Sequence, residues 1–462
     1  MVQSNKDILN YTLTSAMSVD VEKIKQDIPN LVPYVGKYVD PPEGDYVKYT
    51  GPGQLQVPDK VVIGYIEGDG IGPEVAYAAI KVANAAVEKA YGKSRKVIWY
   101  EVVVGEKAEK MFGNRLPDQS VEMLKKIRVF LKAPLETPVG GGFRSINVTL
   151  RQLFDLYANI RPVKYLPGLP SPLKRPEMVD LVIFRENTED VYAGIEWPYN
   201  SAEAAKLREF LRREFGVNIR DDAGIGIKPI SKFGTQRIAR LALKFAVENK
   251  RRVVTVMHKG NIQKYTEGAF KEWAFEVARN EFRDHVVFED ELAQHGGKVP
   301  EGKVLVNDRI ADNMLQQLLT RTSEHDVILA PNLNGDYVSD EAAGLVGGLG
   351  VAPGLDVGDW GMMAEPVHGT APKYRGKNYV NPTATILALE LLFRFLGWRE
   401  AANLIMRGVE TAYREGYFTG DLARQMDEEE RKQRVKEVLG TQEFADKVVE
   451  IIKNFKLNLF CK

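Results

Sequence analysis

At 462 residues the chain exceeds what one hydrophobic core usually organises, so two domains are expected, with a ligand cleft between them. Lysine plus arginine equals aspartate plus glutamate at 63 each, so no overall field selects nucleic acid or an anionic membrane as partner. A lone cysteine, Cys461, excludes an intrachain disulfide and a cysteine-rich zinc site, and no apolar run reaches the roughly 18 residues that span a bilayer.

In chain order, MVQSNKDILNYTLTSAMSVD mixes charged and polar residues where a signal peptide needs a continuous apolar stretch, and the expected location is cytoplasmic. Val19 to Ile28 reads as a short helix, and the Pro, Gly and Tyr-rich remainder up to residue 60 as irregular wrapping structure. From Lys60 the pattern sharpens. VVIGYI is a β-branched run of the buried-strand type, EGDGIGPE a glycine loop, and AYAAIKVANAAVEKAYG a helix. The pairing recurs in VVTVMH before a helix from Tyr265, and in DVILAP before a helix from Asp340. Strands alternating with helices predict an open sheet covered on both faces. Between Trp197 and Lys228 a charged amphipathic helix, AEAAKLREFLRREFG, and the alternating AGIGIKPI interrupt this rhythm, as an insertion suited to pairing with another subunit would.

Two glycine clusters stand out. GDGIGPE, with Gly68, Gly70 and Gly72, lacks the spacing of a dinucleotide fingerprint and reads equally as a tight turn needing positive φ. TPVGGGFRSINVTLRQ is more informative, because its glycines precede a helix whose first turns present Ser145, Asn147 and Arg151, and backbone donors at a helix start favour anions. Arg161 and Arg185 stand on nearby elements. Three converging arginines suit a ligand with several carboxylates, although each alone is more often a surface ion pair. In NLNGDYVSDEAAG, Asp336 and Asp340 lie four residues apart at a helix start, on one face. Oxygen-only ligands suit Mg2+ or Mn2+, with Asp312 a third candidate; helix capping and helix-dipole electrostatics are the alternatives.

Taken together, YIEGDGIGPEV, TPVGGGFRSINVTLRQ, FRENTEDVYAGIEW, VMHKGNIQKYTEGAF, NLNGDYVSD and VHGTAPKY resemble the isocitrate and isopropylmalate dehydrogenase family, from about Val61 to about Met426, with the isocitrate branch fitting best. The resemblance implies a non-Rossmann α/β fold of two domains with a clasp insertion, and a β-decarboxylating homodimer whose active sites borrow residues from both subunits. The implied division is 1–156 and 347–462 for the large domain, 157–189 and 232–346 for the small one, and 190–231 for the clasp. Ser145, Asn147, Arg151, Arg161 and Arg185 resemble the isocitrate clamp, and Thr137 sits where the family meets substrate and nicotinamide. Tyr192 matches the proton donor and Lys259 the lysine that works beside it from the other subunit. Asp336, Asp340 and Asp312 match the metal carboxylates, Asp312 likewise from the neighbour. His368, Gly369, Thr370, Ala371 and Asn381 resemble the adenosine loop. Lys373, Tyr374 and Arg424 match positions that contact the 2′-phosphate of NADP. One departure affects the strength of that preference: Gly420 stands where well-known bacterial NADP enzymes of the family carry a phosphate-contacting tyrosine. Isocitrate is favoured over isopropylmalate and homoisocitrate, because Ser145 and Asn147 can hydrogen-bond a carboxylate where isopropylmalate enzymes present apolar groups. A noncatalytic regulatory subunit would have lost the groups matching base, acid or metal ligands, and here Lys259, Tyr192 and the three aspartates are all present.

Overall fold

The computed structural model describes residues 20–136 and 145–456; Thr137 and Cys461 lie outside them. Two compact units divide the chain, one comprising 1–182 with 339–462 and the other 183–338. The division falls within strand Asp180–Glu186 and again within helix Asn332–Gly344.

The first unit is built on strands ordered Leu31–Val32, Lys96–Glu101, Lys60–Ile66, Val129–Lys132, Met362–Pro366, Pro353–Val357 and Ala158–Lys164. Lys60–Ile66 pairs in parallel with neighbours on both sides, and six of its seven residues are buried, as its continuous apolar run requires of a strand covered on two faces. Helix Gly72–Tyr91 follows it, starting with Pro73 in its first turn and stopping at Gly92, whose φ is 60°. Small residues along this helix, among them Ala76, Ala79, Ala83 and Ala86, are fully buried, which lets helices Thr383–Phe395, Arg399–Arg414 and Thr441–Asn454 pack closely on it. Pro353–Val357 runs antiparallel to both its neighbours.

The short helix expected over Val19 to Ile28 forms as Val21–Asp27, capped by the Asp20 side chain. The stretch after it, read as irregular, is more ordered than expected: Leu31–Val32 adds a parallel strand beside Lys96–Glu101. Lys25 reaches Glu67 at 2.6 Å, and the Tyr34 amide donates to Glu101 at 3.0 Å. Charged side chains at 25, 67 and 101 thus give this stretch fixed partners, a tertiary effect that Pro and Gly content does not convey.

The second unit orders its strands Asp180–Glu186, Val327–Ala330, Val253–His258, Val304–Ile310 and Val286–Phe288. The last four are joined in parallel; helix Lys232–Glu248 leads into Val253–His258, helix Glu267–Glu281 connects that strand to Val286–Phe288, and helix Ala311–Thr320 connects Val304–Ile310 to Val327–Ala330. Its insertion consists of helix Ala202–Phe215, capped by Ser201 and ended by Gly216 in the left-handed region, and a two-residue antiparallel ladder joining Glu196–Trp197 to Ile225–Gly226. Phe210, Phe215, Val217 and Ile227 in this insertion are exposed.

Candidate functional site

In the first unit, helix Ile146–Leu153 begins at Ser145 and buries one face through Ile146, Leu150 and Arg151. Arg151 is there because carboxylates wait for it. It donates to Glu365 at 2.6 Å and lies 3.4 Å from Asp356. Lys132 holds the other oxygen of Glu365 at 2.8 Å. Asp356 in turn accepts from Asn159 at 2.7 Å, its cross-strand partner, and the Asn159 oxygen accepts from Arg161 at 2.6 Å. Gly354 stands opposite Glu365 and lacks a side chain where Asn159 and Arg161 approach. One face of this sheet is therefore a buried polar network on which both guanidinium groups are fixed. Burial and the neighbouring Glu365 push the Asp356 carboxyl up. Glu365 is held well below the usual carboxylate range; burial opposes this, but Arg151 and Lys132 outweigh it. Arg151 and Lys132 face this carboxylate pair directly, and Arg161 reaches it through Asn159.

Arg161 also donates to Ser339 at 2.6 Å and lies 3.5 Å from Asp340. Asn147 donates to the Leu135 carbonyl at 3.4 Å, while its side-chain oxygen is buried without a partner among the described residues.

In the second unit, Arg185 is the most deeply buried of the three arginines, at 1 % exposure. It donates to Asn332 at 2.9 Å, pairs with Asp336, and stacks over the Tyr192 ring at 4.8 Å. The Tyr192 hydroxyl donates to the other Asp336 oxygen at 2.5 Å. Gly335 makes this possible, since a side chain there would meet Arg185 at 2.6 Å. Asp336 and Asp340 were expected at the start of a helix. They lie instead in its second and third turns, because helix Asn332–Gly344 begins eight residues before Asp340; the Asn and Gly of NLNGD disguise that first turn. The spacing still sets the two carboxylates on one helical face, one turn apart. Lys259 pairs with Asp312, and that ammonium lowers the Asp312 carboxyl. Both are accessible, with the Asp312 side chain 70 % exposed. Among the described residues no three His, Cys, Asp or Glu side chains of this chain gather as a metal site.

A buried hub that the sequence reading missed positions these groups. Glu267 accepts from the Lys259 amide and from Asn334, both at 2.7 Å, and pairs with Lys228 at 2.8 Å. Lys228 also reaches Asp190 at 2.6 Å, and Asp190 accepts from the Leu333 amide at 2.9 Å. The signal was an acid opening a helix that is otherwise apolar on its inner face, and it reads locally as a simple dipole partner.

A cavity of about 230 Å3 in the first unit is lined by Ile71, His368, Tyr374, Tyr379, Asn381 and Arg424, together with Gly350, Gly369, Ala371, Val380 and Asp421. Its glycine loop is fixed tightly: Gly70, at φ 60°, brings its α-carbon so close to the Thr370 carbonyl that a methyl group would lie 2.1 Å from the oxygen. Ala371 takes a left-handed φ of 37°, which redirects the chain into Lys373 and Tyr374. Lys373 lies over the Tyr374 ring at 4.8 Å, and Tyr374 stacks on Tyr379. His368 Nδ1 meets the Gly369 carbonyl at 3.0 Å, while its Nε2 is buried without a partner among the described residues, an orphaned polar atom that a ligand would satisfy. Of the proposed cofactor residues, Thr370 and Lys373 stand beside this cavity rather than in its lining.

Buried guanidiniums on carboxylate anchors, and a polar and aromatic pocket behind a glycine loop, define an α/β enzyme acting on small anionic molecules rather than a nucleic-acid or structural protein. Residues 62–448 match the isocitrate/isopropylmalate dehydrogenase family. The isocitrate dehydrogenase [NADP] of Archaeoglobus fulgidus is 56% identical over 418 residues, covering 90% of this chain and 98% of that protein. The enzyme of the same name from Haloferax volcanii is 52% identical, covering 87% and 94%. The crystal structure of isocitrate dehydrogenase from Methylococcus capsulatus superposes with a TM-score of 0.70 at 35% identity, over 85% of this chain and 99% of that one. The TT0538 protein of Thermus thermophilus does so with a TM-score of 0.71 at 33% identity, over 89% and 72%. The chain belongs to the isocitrate/isopropylmalate dehydrogenase family.

Proposed function

We propose that this protein catalyses the oxidative decarboxylation of isocitrate to 2-oxoglutarate and CO2 with reduction of NADP, using Mg2+ or Mn2+, as a cytoplasmic homodimer. The observation that carries this reading is the buried network that fixes the Arg151 and Arg161 guanidiniums beside the helix start bearing Ser145 and Asn147. Such a set suits an acid with several carboxylates and is wasted on an apolar substituent. The printed names of relatives at 52% and 56% identity support the same substrate and nucleotide.

In this proposal Arg151, Arg161 and Arg185 hold the substrate carboxylates, with Ser145 and Asn147 selecting the third. Lys259 or Asp312 would take the proton of the secondary alcohol, and a bound nicotinamide would supply the hydride acceptor for C2. A bound divalent cation supplies electrostatic stabilisation of the oxygen that gains charge as CO2 departs. Asp336 and Asp340, acceptor-only groups one turn apart, fit such a hard ion, and Asp312 of a second copy completes the set. Tyr192 returns a proton to carbon, with the Lys259 of the other subunit lowering its pKa. His368, Gly369, Thr370, Ala371 and Asn381 hold the adenosine, Lys373, Tyr374 and Arg424 the 2′-phosphate, and Thr137 the nicotinamide end. The finer division into 1–156, 157–189, 190–231, 232–346 and 347–462 belongs to this proposal, with the exposed Phe210, Phe215 and Val217 of the insertion as the surface that a second copy covers.

An initial-rate assay with isocitrate, NADP and either cation, with chelator as control, tests the reading. Metal-dependent NADPH formation is expected, and its absence sinks the proposal. Isopropylmalate and homoisocitrate in the same assay should give little turnover.

A further inference from the structure

We propose that Tyr379 is a specificity-determining residue of the nucleotide pocket, its hydroxyl donating to the 2′-phosphate of NADP beside Arg424. The inference rests on the NADP reading above and extends it to a residue outside the expected set. Tyr379 and Arg424 line the same cavity. The Tyr379 ring stacks on Tyr374 with centroids 5.2 Å apart and planes 15° from parallel, so its position is fixed by a neighbour already assigned to that phosphate. What leaves room for the ring is Gly420. A β-carbon there would lie 3.0 Å from both the hydroxyl oxygen and the edge of the Tyr379 ring. A tyrosine at 420 and one at 379 therefore compete for one volume, and this chain fills it from the 379 side.

The Tyr379 hydroxyl makes no hydrogen bond to any described residue, although the side chain is half-buried, so its donor is uncommitted. Burial raises its pKa, and the Arg424 charge acts on it in the opposite sense. The phenol stays protonated at neutral pH. A neutral O–H donor next to a guanidinium suits a phosphomonoester, which presents three acceptor oxygens and roughly 1.5 to 2 negative charges. The acid in the same wall, Asp421, is engaged by Asn381 and Thr419, which donate to its two oxygens. The 2′-hydroxyl of NAD offers no comparable charge, so the contact discriminates between the two nucleotides.

The test uses the full-length protein and Tyr379→Phe, which keeps the ring and its stack and removes only the oxygen. Calorimetric titration with 2′,5′-ADP and with AMP reads the phosphate contact without turnover. The affinity for 2′,5′-ADP should fall roughly tenfold in the variant while that for AMP holds, as loss of one hydrogen bond to a charged group predicts. The KM for NADP should rise relative to that for NAD. Equal 2′,5′-ADP affinities in parent and variant overturn the inference, and so does an equal loss for both probes, which marks a change of pocket shape. Arg424→Gln separates the two levels. If that variant loses discrimination while Tyr379→Phe keeps it, the NADP reading stands and the Tyr379 assignment alone falls. If the parent binds both probes alike, the NADP reading fails and takes this inference with it.

Discussion

Tyr192 is held between two opposite charges, its ring under Arg185 and its hydroxyl on Asp336. A phenol so placed is fixed in position at both its ring and its hydroxyl. Tyr192→Phe preserves the stack and removes the proton. With isocitrate, kcat should fall roughly 100-fold or more while KM moves little, the loss expected for a positioned general acid. Unchanged steady-state turnover would remove Tyr192 from the mechanism. A second residue-scale expectation concerns acid stability. Burial depresses the His325 imidazole to about 4, with Arg309 acting in the same sense. Its native state thus binds fewer protons than the unfolded chain between about 4 and the ordinary imidazole value of 6.5, so this group's effect on stability is neutral above 6.5 and grows unfavourable as pH falls toward 4. Heteronuclear NMR of the histidine side chains should find His325 still neutral at pH 5; a cationic ring there contradicts the assignment.

Among elements, the glycine loop between strand Lys60–Ile66 and helix Gly72–Tyr91 is bound to its neighbour by absence of bulk. Gly70→Ala puts a methyl group against the Thr370 carbonyl in a backbone conformation that favours glycine. It should destabilise the protein by about 1–3 kcal/mol and weaken nucleotide binding, because Thr370 and Ala371 must shift with it; a melting temperature equal to the parent's argues against this packing. Local reading of GDGIGPE found a tight turn needing positive φ, which Gly68 and Gly70 adopt, but could not find Thr370, 300 residues from Gly70. The same limit recurs across the molecule. The strand–loop–helix order, the helix at Ser145 and the insertion helix were legible, since each is written in periodicity and caps within a short window. The anchors were not. Asp356, Glu365 and Lys132 betray themselves only as charges in apolar strand runs, and pairing them with Arg151 requires three strands to be brought side by side. Tyr379 was hidden for another reason: its meaning depends on an empty place at Gly420, and only coordinates reveal what fills it.

For the whole molecule, the chain leaves one compact unit within Asp180–Glu186 and returns to it within Asn332–Gly344, so the first unit is made of two stretches of sequence and the second, 183–338, is a single stretch inserted between them. A proposed active site that draws Lys259 and Asp312 from a second copy adds a further dependence. Replacing Phe210 and Phe215 with Asp should separate subunits and abolish activity while far-UV circular dichroism and thermal unfolding still report folded units. Dilution of the parent should reduce specific activity in step with the monomer fraction seen by light scattering. A fully active monomer would refute the shared site.

The short strand Leu31–Val32 has a role separate from catalysis. By pairing with Lys96–Glu101 it stands at the margin of a mostly parallel sheet, where an uncovered row of amide and carbonyl groups would invite pairing with any extended chain. The ion pair of Lys25 with Glu67 and the Tyr34 amide on Glu101 keep that cover in place. A protein beginning at residue 40 should retain its nucleotide pocket yet gain colloidal instability, visible as growing particles in dynamic light scattering at temperatures where the full chain stays dispersed. On this view residues 20–39 act as a guard against self-association during the life of the folded protein.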